Sequence, residues 1–286
     1  MINRILMVGG TGMLGEPVAR QLQSDGYHVR IFSRDAEKVK LRFQPPFEVA
    51  IGNVEDPTSL ESALQDCQGL HINLHGNFDP DLEKRAALVI SKISQKTSLE
   101  KITYLSGASV SEENAWFPET RVRLQTEQIL QSTDIPVTVF RSNYFMETLK
   151  NFIRGNMLLQ IGRHPHPYAW VAASDYAVMV SKAYGNPKTN HKTLYVCGPQ
   201  NLTVRQALQV LKENIYPDYR IVFLPIWAAK IVAWAGKRRE LQSVLPFFDY
   251  CEKVKNILTG SPEEANALLG APGTTLENWV INHLKK

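Results

Sequence analysis

The sequence predicts an α/β fold in which a parallel sheet carries helices on both faces. Short apolar runs alternate with helical patterns over the first 142 residues. The first apolar run leads directly into a glycine-containing turn, and an amphipathic helical pattern follows that turn. An alternation of strands and helices of this kind is typical of a doubly wound parallel sheet.

Six strands are predicted in this first region. The consecutive apolar residues from Ile5 to Val8 indicate a strand that is buried on both faces. The predicted strands are Arg4–Val8, His28–Phe32, Phe47–Ile51, Gly69–Leu74, Lys101–Ser106 and Pro136–Arg141. Helical patterns lie between them at about residues 14–25, 35–42, 57–66, 80–97 and 119–132.

Two Asp-Pro pairs predict helix starts. An Asp side chain accepts hydrogen bonds from the first free backbone N–H groups of a helix, and Pro suits the first helical position. Asp56-Pro57 meets both requirements, and Asp79-Pro80 is expected to repeat the arrangement.

The pattern changes after Ser142. The predicted elements there are helices at about 145–154, 174–185 and 203–214, a strand at Thr193–Cys197, a mostly helical stretch at 219–260 with breaks at Pro225 and Pro246, a short helix between Pro262 and Pro272, and a last helix at Thr275–Leu284. We therefore expect a nucleotide-binding domain at residues 1–142. Residues 143–286 are expected to form a smaller, mostly helical substrate-side region, with some segments returning to the main sheet.

Composition excludes several classes of protein. The 286 residues are 44% hydrophobic with a formal net charge of +4. The sequence contains no basic stripe with interleaved aromatic residues, so nucleic-acid binding is not expected. Cys67, Cys197 and Cys251 are far apart and odd in number, which favours a reducing compartment, and we expect a cytoplasmic protein. We expect no signal peptide and no membrane span. His164 and His166 have no further ligands at metal-binding spacing, so no metal site is expected.

The glycines after the first strand indicate a dinucleotide site of the Rossmann type. Gly9 permits a tight turn, Gly12 lets backbone approach a pyrophosphate, and Gly15 lets the next helix pack closely. The helix N-terminus adds free N–H groups and the positive end of its dipole. The spacing is Gly-x-x-Gly-x-x-Gly, and a glycine-rich turn without a ligand is the alternative. The predicted cofactor-binding residues here are Gly9, Thr11, Gly12, Met13, Leu14 and Gly15.

The end of the second predicted strand favours NADP(H) over NAD(H). A site that prefers NAD places an acidic residue there to bind the ribose hydroxyls, whereas Ser33 and Arg34 occupy this turn. A guanidinium suits a 2′-phosphate because it can bind two phosphate oxygens at once. A solvated arginine on a loop is the alternative. Asp35 is expected to cap the helix that follows.

Two further strand ends are predicted to border the cofactor. Asn53 and Val54 follow the third strand, where the Asn side chain can donate to and accept from an adenine, and a turn role for Asn53 is an equal alternative. His75 and Gly76 follow the fourth strand and are expected to border the ribose, with a plain loop role for His75 as the alternative.

These residues, with others along the chain, resemble the NmrA-like group of atypical short-chain dehydrogenase/reductases. The matching segments are residues 9–15, 33–34, 52–60, 102–106, 126–130, 135–143, 198–203 and 273–277. The resemblance covers most of the chain and is looser between residues 205 and 265. It implies an NADPH-dependent reductase of quinones, a reductase of other unsaturated or carbonyl compounds, or an NADP-binding regulator that catalyses nothing. Related proteins also serve as accessory subunits of electron-transfer complexes.

The Tyr-x-x-x-Lys pair of typical short-chain reductases is missing from the predicted helix that follows the fifth strand, where the family places it. When Glu127 is aligned with the family's helix glutamate, Arg123 falls at the lysine position and Glu119 at the tyrosine position. Arg123 can reach the nicotinamide ribose or an anionic substrate, but an arginine does not lose its proton near neutral pH. A ladder of surface ion pairs is the alternative. Ser106 is predicted to orient a carbonyl, or else is a strand-end hydroxyl.

We predict an oxidoreductase that transfers hydride from NADPH to a quinone or similar apolar electrophile. Such an acceptor needs no protein proton donor, because water can supply the proton. Asn143 and Tyr144 follow the sixth strand and are predicted to line the reaction end, with a core position for Tyr144 as the alternative. A non-catalytic NADP(H)-binding regulator or accessory protein is the second prediction.

Residues 224–239 carry a further candidate surface. Trp227 and Trp234 share a helix face, and the basic cluster Lys237-Arg238-Arg239 follows them. This pattern fits a helix on a membrane surface, a protein partner's site, a lid over an apolar substrate or a plainly packed helix.

Overall fold

The computed structural model describes residues 2–74 and 79–285. The strands in this part of the chain are β1 Arg4–Val8, β2 His28–Ser33, β3 Glu48–Ile51, β4 Gly69–Ile72, β5 Lys101–Gly107, β6 Val137–Ser142, β7 Ile153–Arg154, β8 Met157–Ile161, β9 Tyr168–Trp170, β10 Lys192–Val196, β11 Gln200–Leu202 and β12 Arg220–Leu224. The helices are α1 Gly15–Ser24, α2 Ala36–Arg42, α3 Pro57–Ala63, α4 Leu82–Ile93, α5 Pro118–Gln131, α6 Ala173–Tyr184, α7 Val204–Asn214, α8 Ile226–Ala235, α9 Arg239–Lys253, α10 Glu263–Leu269 and α11 Leu276–Leu284. Short 3₁₀ turns lie at Ser94–Lys96, Met146–Phe152 and Pro187–Thr189.

The chain divides into two compact units. The first contains the chain up to Ser142 together with Ala173–Val196 and Gly260–Ala271. The second contains Asn143–Ala172, Cys197–Thr259 and the chain from Pro272 onwards. The unit boundary after Ser142 lies where the sequence pattern changes, and the two later segments of the first unit carry α6, β10 and α10.

The first unit is built on a parallel sheet. Its described strands follow the order β3-β2-β1-β4-β5-β6-β10, and every neighbouring pair is parallel. In β1, Ile5 lies opposite Val29 of β2 on one side and Gly69 of β4 on the other. Because the direction of strand succession reverses beside β1, this is the doubly wound order, and the predicted α/β fold class is confirmed.

Helices cover this sheet in two packed groups. α1 packs against α6, whereas α4 packs against α3 and α5. The side chains from Ile5 to Val8 are at most 2% exposed, as expected for a strand covered on both faces. Val8 belongs to a large buried cluster with Leu60, Ile90 and Tyr104. The burial of β1 therefore holds the glycine turn at the carboxyl edge of the sheet.

Two helix starts of the first unit have the predicted caps. The Asp35 carboxylate accepts a hydrogen bond from the N–H of Lys38 at 3.0 Å and caps α2. The Asp56 carboxylate accepts bonds from two N–H groups of α3, in whose first turn Pro57 lies. Both predictions are confirmed, because a short polar side chain satisfies the free N–H groups locally.

The third predicted start, at Asp79-Pro80, is wrong. α4 begins at Leu82, and Asp81 precedes it without a side-chain capping bond. The Asp79 carboxylate instead binds the guanidinium of Arg85, at 3.1 Å for one of its oxygens. This carboxylate also accepts a backbone hydrogen bond from Asp81, one residue before α4, so the backbone N–H group that it binds lies before the helix begins.

The second unit contains two small sheets and an aromatic core. The sheets have the orders β12-β8-β7 and β11-β9. α7 begins with a capping box, in which Thr203 and Gln206 each bond the other's backbone N–H, and it packs against α11. The core includes Tyr144, Trp170 and Trp279.

Two predictions for this unit are wrong in detail. Met146–Phe152 form a 3₁₀ helix instead of an α-helix, and the last two residues of the predicted range, Ile153 and Arg154, form β7. Residues 219–260 contain β12 as well as α8 and α9, and Pro246 lies inside α9 instead of breaking it. β12 pairs with β8, and its apolar run Ile221–Leu224 resembles that of β1, so the prediction of a mostly helical stretch missed a local strand pattern that was present.

Neither a membrane span nor a metal cluster is found in the described residues. No helix within residues 2–74 and 79–285 is long and apolar enough to cross a membrane. The same part of the chain holds no group of three or more His, Cys, Asp or Glu side chains that could bind a metal. The cysteines are free.

Candidate cofactor site

Packing of the chain itself requires two glycines of the turn after β1. Gly9 has a φ of +83°, and a Cβ there would lie 1.9 Å from the carbonyl oxygen of Asn73. A Cβ on Gly15 would lie 2.2 Å from the carbonyl oxygen of Gly9. A Cβ on Gly12 would come no closer than 3.2 Å to that oxygen. Gly9 and Gly15 thus shape the turn, while a glycine at 12 keeps the approach to it open for a ligand.

The N-terminus of α1 offers N–H groups to a ligand. α1 begins at Gly15, and the residue at its N-cap position is Leu14. Leucine has no side-chain oxygen, so no side-chain capping bond forms at this position in the described chain. Thr11 and Leu14 are half-buried, and Met13 is 47% exposed. Uncapped N–H groups at a helix start form a natural site for a phosphate.

The charge of Glu16, in the first turn of α1, is balanced by two arginines. Its carboxylate accepts from the guanidinium of Arg20 at 2.8 Å and from that of Arg42 at 2.9 Å. A free carboxylate here would repel a phosphate, so this pairing keeps the helix start suitable for an anion.

Arg34 extends from the turn that follows β2. Its side chain is exposed, and within the described residues no hydrogen bond or ion pair engages its guanidinium. Ser33 Oγ accepts from the N–H of Asp35 at 3.1 Å, and the Asp35 carboxylate caps α2. The nearby acidic group is therefore occupied, while the guanidinium of Arg34 is available to an anion.

The other predicted cofactor residues have mixed settings. Asn53 Oδ1 accepts from the N–H of Glu55 at 3.2 Å, so the side-chain carbonyl stabilises a turn and the exposed amide N–H₂ group remains for a ligand. Val54 is 7% exposed and packs in the core, which leaves its backbone for contact with a cofactor. His75 and Gly76 lie outside the described residues.

A buried network of charges lies at the carboxyl ends of β5 and β6. Ser106 Oγ donates to Glu127 Oε1 at 2.5 Å. The guanidinium of Arg141 binds both oxygens of Glu127, at 3.0 and 2.5 Å, and also donates to the hydroxyl of Tyr195 at 2.9 Å. Glu127 is only 3% exposed, so it does not belong to a surface ladder of ion pairs. The hydroxyl proton of Ser106 is engaged by this network.

Arg123 is a residue of α5 whose side chain lies beside the end of β5. Its Nε is 3.8 Å from Oε1 of Glu83. The other oxygen of that carboxylate accepts from the hydroxyl of Tyr104 at 2.5 Å. A Cβ on Gly107 would lie 3.1 Å from Nη1 of Arg123. Burial alone would lower the pKa of Arg123, but the neighbouring carboxylates, chiefly Glu83, outweigh burial and raise that pKa. Arg123 is therefore a permanent cation beside the carboxyl edge.

In the second unit, Tyr144 lies within the aromatic core. Its ring centroid is 4.5 Å from that of Tyr168 and 5.0 Å from that of Trp170. Burial raises the pKa of Tyr144 well above its usual value, and Cys251 adds to this effect. Tyr144 is thus a poor proton donor, and its position fits the core alternative that its sequence context allows. Asn143, at the start of this unit, is half-buried.

Sequence reasoning missed the polar partners of this region. Arg141 and Tyr195 complete the environment of Glu127, and Gly107 leaves room for Arg123. Arg141 gave one signal, because a charged residue within the mostly apolar strand pattern Val137–Ser142 needs a buried partner. The identity of that partner depends on which helix covers the strand.

A model of the NmrA-like family matches residues 1–280. The chain belongs to the NmrA-like family. Its relatives include the NAD(P)H azoreductase of Xenophilus azovorans, 23% identical over 98% of this chain and 97% of that protein. They also include the photosystem II assembly factor Ycf39 of Trieres chinensis, 20% identical over 89% of this chain and 79% of that protein.

Solved structures of similar fold include two enzymes. The Citrobacter sp. triphenylmethane reductase complexed with NADP(H) is 20% identical, with a TM-score of 0.80 over 98% of this chain and 100% of that one. The Escherichia coli NADPH-dependent quinone oxidoreductase QOR2, complexed with NADPH, is 18% identical, with a TM-score of 0.78 over 99% of this chain and 100% of that one. At these identities the likeness establishes the fold of the present chain.

Proposed function

We propose that this chain is an NADPH-dependent reductase that transfers hydride to a small, flat, apolar acceptor such as a quinone or a dye. The observation that carries the proposal is the carboxyl edge of the first unit, where an uncapped helix start and the available guanidinium of Arg34 occur in the described residues. Similarity to an azoreductase, a triphenylmethane reductase and a quinone oxidoreductase supports the reaction class.

The cofactor is held by groups of the first unit. The turn that contains Gly9, Gly12 and Gly15 and the N-terminus of α1 would hold the pyrophosphate, with Thr11, Met13 and Leu14 around it. Ser33 and Arg34 would hold the 2′-phosphate. The amide of Asn53 and the backbone of Val54 would contact the adenine. His75 and Gly76, which lie outside the described residues, stay predicted ribose contacts.

Bound NADPH would supply the hydride. Arg123 is a permanent cation, so it can stabilise negative charge that develops on an acceptor oxygen, but it cannot donate a proton. Water then supplies the proton that completes reduction. The hydroxyl of Ser106 donates a hydrogen bond to Glu127, so its proton is not available to the acceptor. Ser106 can therefore accept a hydrogen bond there, but it does not act as an acid.

In the second unit, Asn143 is proposed to line the acceptor side with its polar amide. Tyr144 lies in the aromatic core with Tyr168 and Trp170, so it is proposed to support that side from within the core. Its raised pKa makes it unsuitable as an acid. This division of roles suits an acceptor that is mostly flat and apolar.

A second candidate function is an NADP(H)-binding regulator or assembly partner without catalysis. It is favoured by the absence of a Tyr-x-x-x-Lys pair on α5, where the family's helix motif aligns, and by the similarity to a photosystem II assembly factor. The cofactor site is the same in both functions, so only turnover separates them.

The deciding experiment follows the near-ultraviolet absorbance of NADPH in the stopped flow, with quinones, azo compounds and triphenylmethane dyes as acceptors. Arg34→Ala removes charge-assisted hydrogen bonds of about 1.5–3 kcal/mol and should raise KM for NADPH by about 10- to 100-fold. KM for NADH should change little, because NADH has no 2′-phosphate.

Arg205→Ala is the matched control, because Arg205 is an exposed arginine on α7 of the second unit. It should leave both constants unchanged. Tight NADPH binding without oxidation by any acceptor would refute the reductase and favour the regulator. An equal effect of Arg34→Ala on NADH and NADPH would refute the assignment of the 2′-phosphate site.

A further inference from the structure

One side of α8 is packed against α9. Ile226, Ala229 and Ala233 are buried, at the spacing of three and four residues that marks one helix face. Ala229 and Ala233 form a small cluster with Leu245 of α9. The packed-helix alternative for this segment therefore accounts for one face of α8 and leaves the remaining faces to be explained.

Another side of α8 is apolar and uncovered. Trp227 is 68% exposed, Ile231 is 57% exposed and Trp234 is 79% exposed. Their spacing of four and three residues places these side chains in one stripe along the helix. Contiguous large apolar side chains on a surface mark an interaction site, whereas single ones do not.

Basic side chains surround this apolar stripe. Lys230 lies within α8, Lys237 and Arg238 follow in the turn, and Arg239 begins α9; all four are exposed. Glu240 is the acidic residue closest to them in sequence, and α8 contains none. None of the four basic groups forms an ion pair with any part of the chain that the structure describes. The hairpin therefore presents four basic groups without ion-pair partners beside exposed tryptophans, while Asp249 of α9, paired with Lys253, lines the groove next to Lys230.

The turn holds a lysine where a glycine is expected. α8 ends with the N–H of Arg238 bonded to the carbonyl of Ala233 at 3.0 Å and the N–H of Lys237 bonded to that of Trp234 at 3.2 Å. This is a Schellman closure, in which the left-handed position is usually glycine. Lys237 occupies it with a φ of +49°. A side chain kept in an unfavourable conformation points to a function for its charge.

We propose that the α8–α9 hairpin binds reversibly to the surface of an anionic lipid bilayer. The two indole rings would enter the headgroup region, where aromatic rings with a polar N–H are favoured. The four basic side chains would lie against anionic headgroups. A groove of about 560 Å³ between α8 and α9 is lined by Lys230 and Trp234 among others and adds to this surface.

Charge is the reason to choose a bilayer over a second copy of the chain. A symmetric dimer through this face would bring the same patch from both copies together, so its positive charges would repel each other. Anionic lipid attracts those charges and also accepts the apolar stripe. The inference does not rest on reductase activity, because binding can be measured without NADPH.

The test measures binding of the full chain to vesicles by co-sedimentation and by tryptophan fluorescence. Vesicles of phosphatidylcholine alone are compared with vesicles that also contain phosphatidylserine. We expect binding to the anionic vesicles, a blue shift of the fluorescence, and loss of binding as salt screens the charges. Trp227→Ala and Trp234→Ala should each weaken binding about tenfold or more, since a buried aromatic side chain is removed from the bilayer.

Lys237→Gly separates binding from folding. Glycine relieves the left-handed strain, so the variant should be at least as stable as the wild type. Loss of one basic group should weaken vesicle binding about fivefold. Leu41→Ala, which truncates an 85% exposed apolar residue on α2, and Lys92→Ala, which removes an exposed lysine on α4, are controls that should bind like the wild type.

Three outcomes would overturn the proposal. The first is equal binding to neutral and anionic vesicles, and the second is an unchanged affinity in both tryptophan variants. The third is a dimer in solution that Trp234→Ala dissociates, with no vesicle binding by the wild type, which would assign the surface to a second copy.

Discussion

Replacement of Arg141 by leucine tests whether the buried network organises the carboxyl edge of the first unit. The side chain of Glu127 is 4% exposed and that of Arg141 is 13% exposed. Arg141→Leu would leave the Glu127 carboxylate buried with Ser106 as its remaining partner in the network. Removing one partner of a buried ion pair costs about 3–5 kcal/mol, because the other charge stays desolvated. We expect the free energy of unfolding to fall by about that amount.

Two further variants separate the contributions of charge and of hydrogen-bond geometry to this loss in the free energy of unfolding. Arg141→Lys keeps the positive charge but loses the planar two-bond contact with Glu127 and the bond to Tyr195, so we expect a smaller cost, about 1–3 kcal/mol. Glu127→Gln combined with Arg141→Leu removes both charges. The double variant should therefore be more stable than Arg141→Leu alone by about 1–2 kcal/mol.

The assay is urea-induced unfolding of the full chain, followed by circular dichroism, for the wild type, these three variants and Glu127→Gln alone. With Glu127→Gln as the second single variant, the double-mutant cycle reports the interaction between Glu127 and Arg141 directly. A cost below about 1 kcal/mol for Arg141→Leu would refute the reasoning, since a buried unpaired carboxylate cannot be so inexpensive. A double variant less stable than Arg141→Leu would also refute it.

Two other predictions concern the first unit. Burial lowers the pKa of His71 from 6.5 to about 3. Between these two values the imidazole is protonated in the unfolded chain and stays neutral in the folded chain. Stability should fall as pH drops from 6.5, by about 2 kcal/mol at pH 5, and His71→Asn should flatten this slope in urea titrations at several pH values. An unchanged slope would contradict the burial argument. Gly9→Ala should destabilise the chain by at least about 2–3 kcal/mol, because it combines a positive φ with a Cβ 1.9 Å from a carbonyl oxygen. Gly26→Ala is the control, with a φ of +94° and nothing within 4 Å of its Cβ; equal costs for the two variants would show that the contact is unimportant.

Local patterns predicted the fold of the first unit well. The apolar run from Ile5 to Val8 and the glycines after it specify a buried strand and a tight turn through interactions close in sequence. The caps at Asp35 and Asp56 were predictable for the same reason, since a capping carboxylate bonds N–H groups two or three residues away.

Polar partners distant in sequence were not predictable. The i, i+4 spacing of Arg123 and Glu127 suggested a surface ladder, yet Glu127 is buried and pairs with Arg141 of β6. The residue types permitted either pairing, and the packing of α5 against β5 and β6 selected the one with Arg141.

The sequence by itself determined the doubly wound fold, the position of the dinucleotide turn and the lack of an acidic residue at the end of β2 where an NAD site has one. These depend on periodicity and on backbone requirements within a few residues. Only the tertiary structure decided that Tyr144 lies in an aromatic core and that the hydroxyl of Ser106 donates a hydrogen bond to Glu127. It also decided that one face of α8 is exposed beside unpaired basic groups. The burial of a side chain depends on which distant element covers it, and that information is absent from any local stretch of the chain.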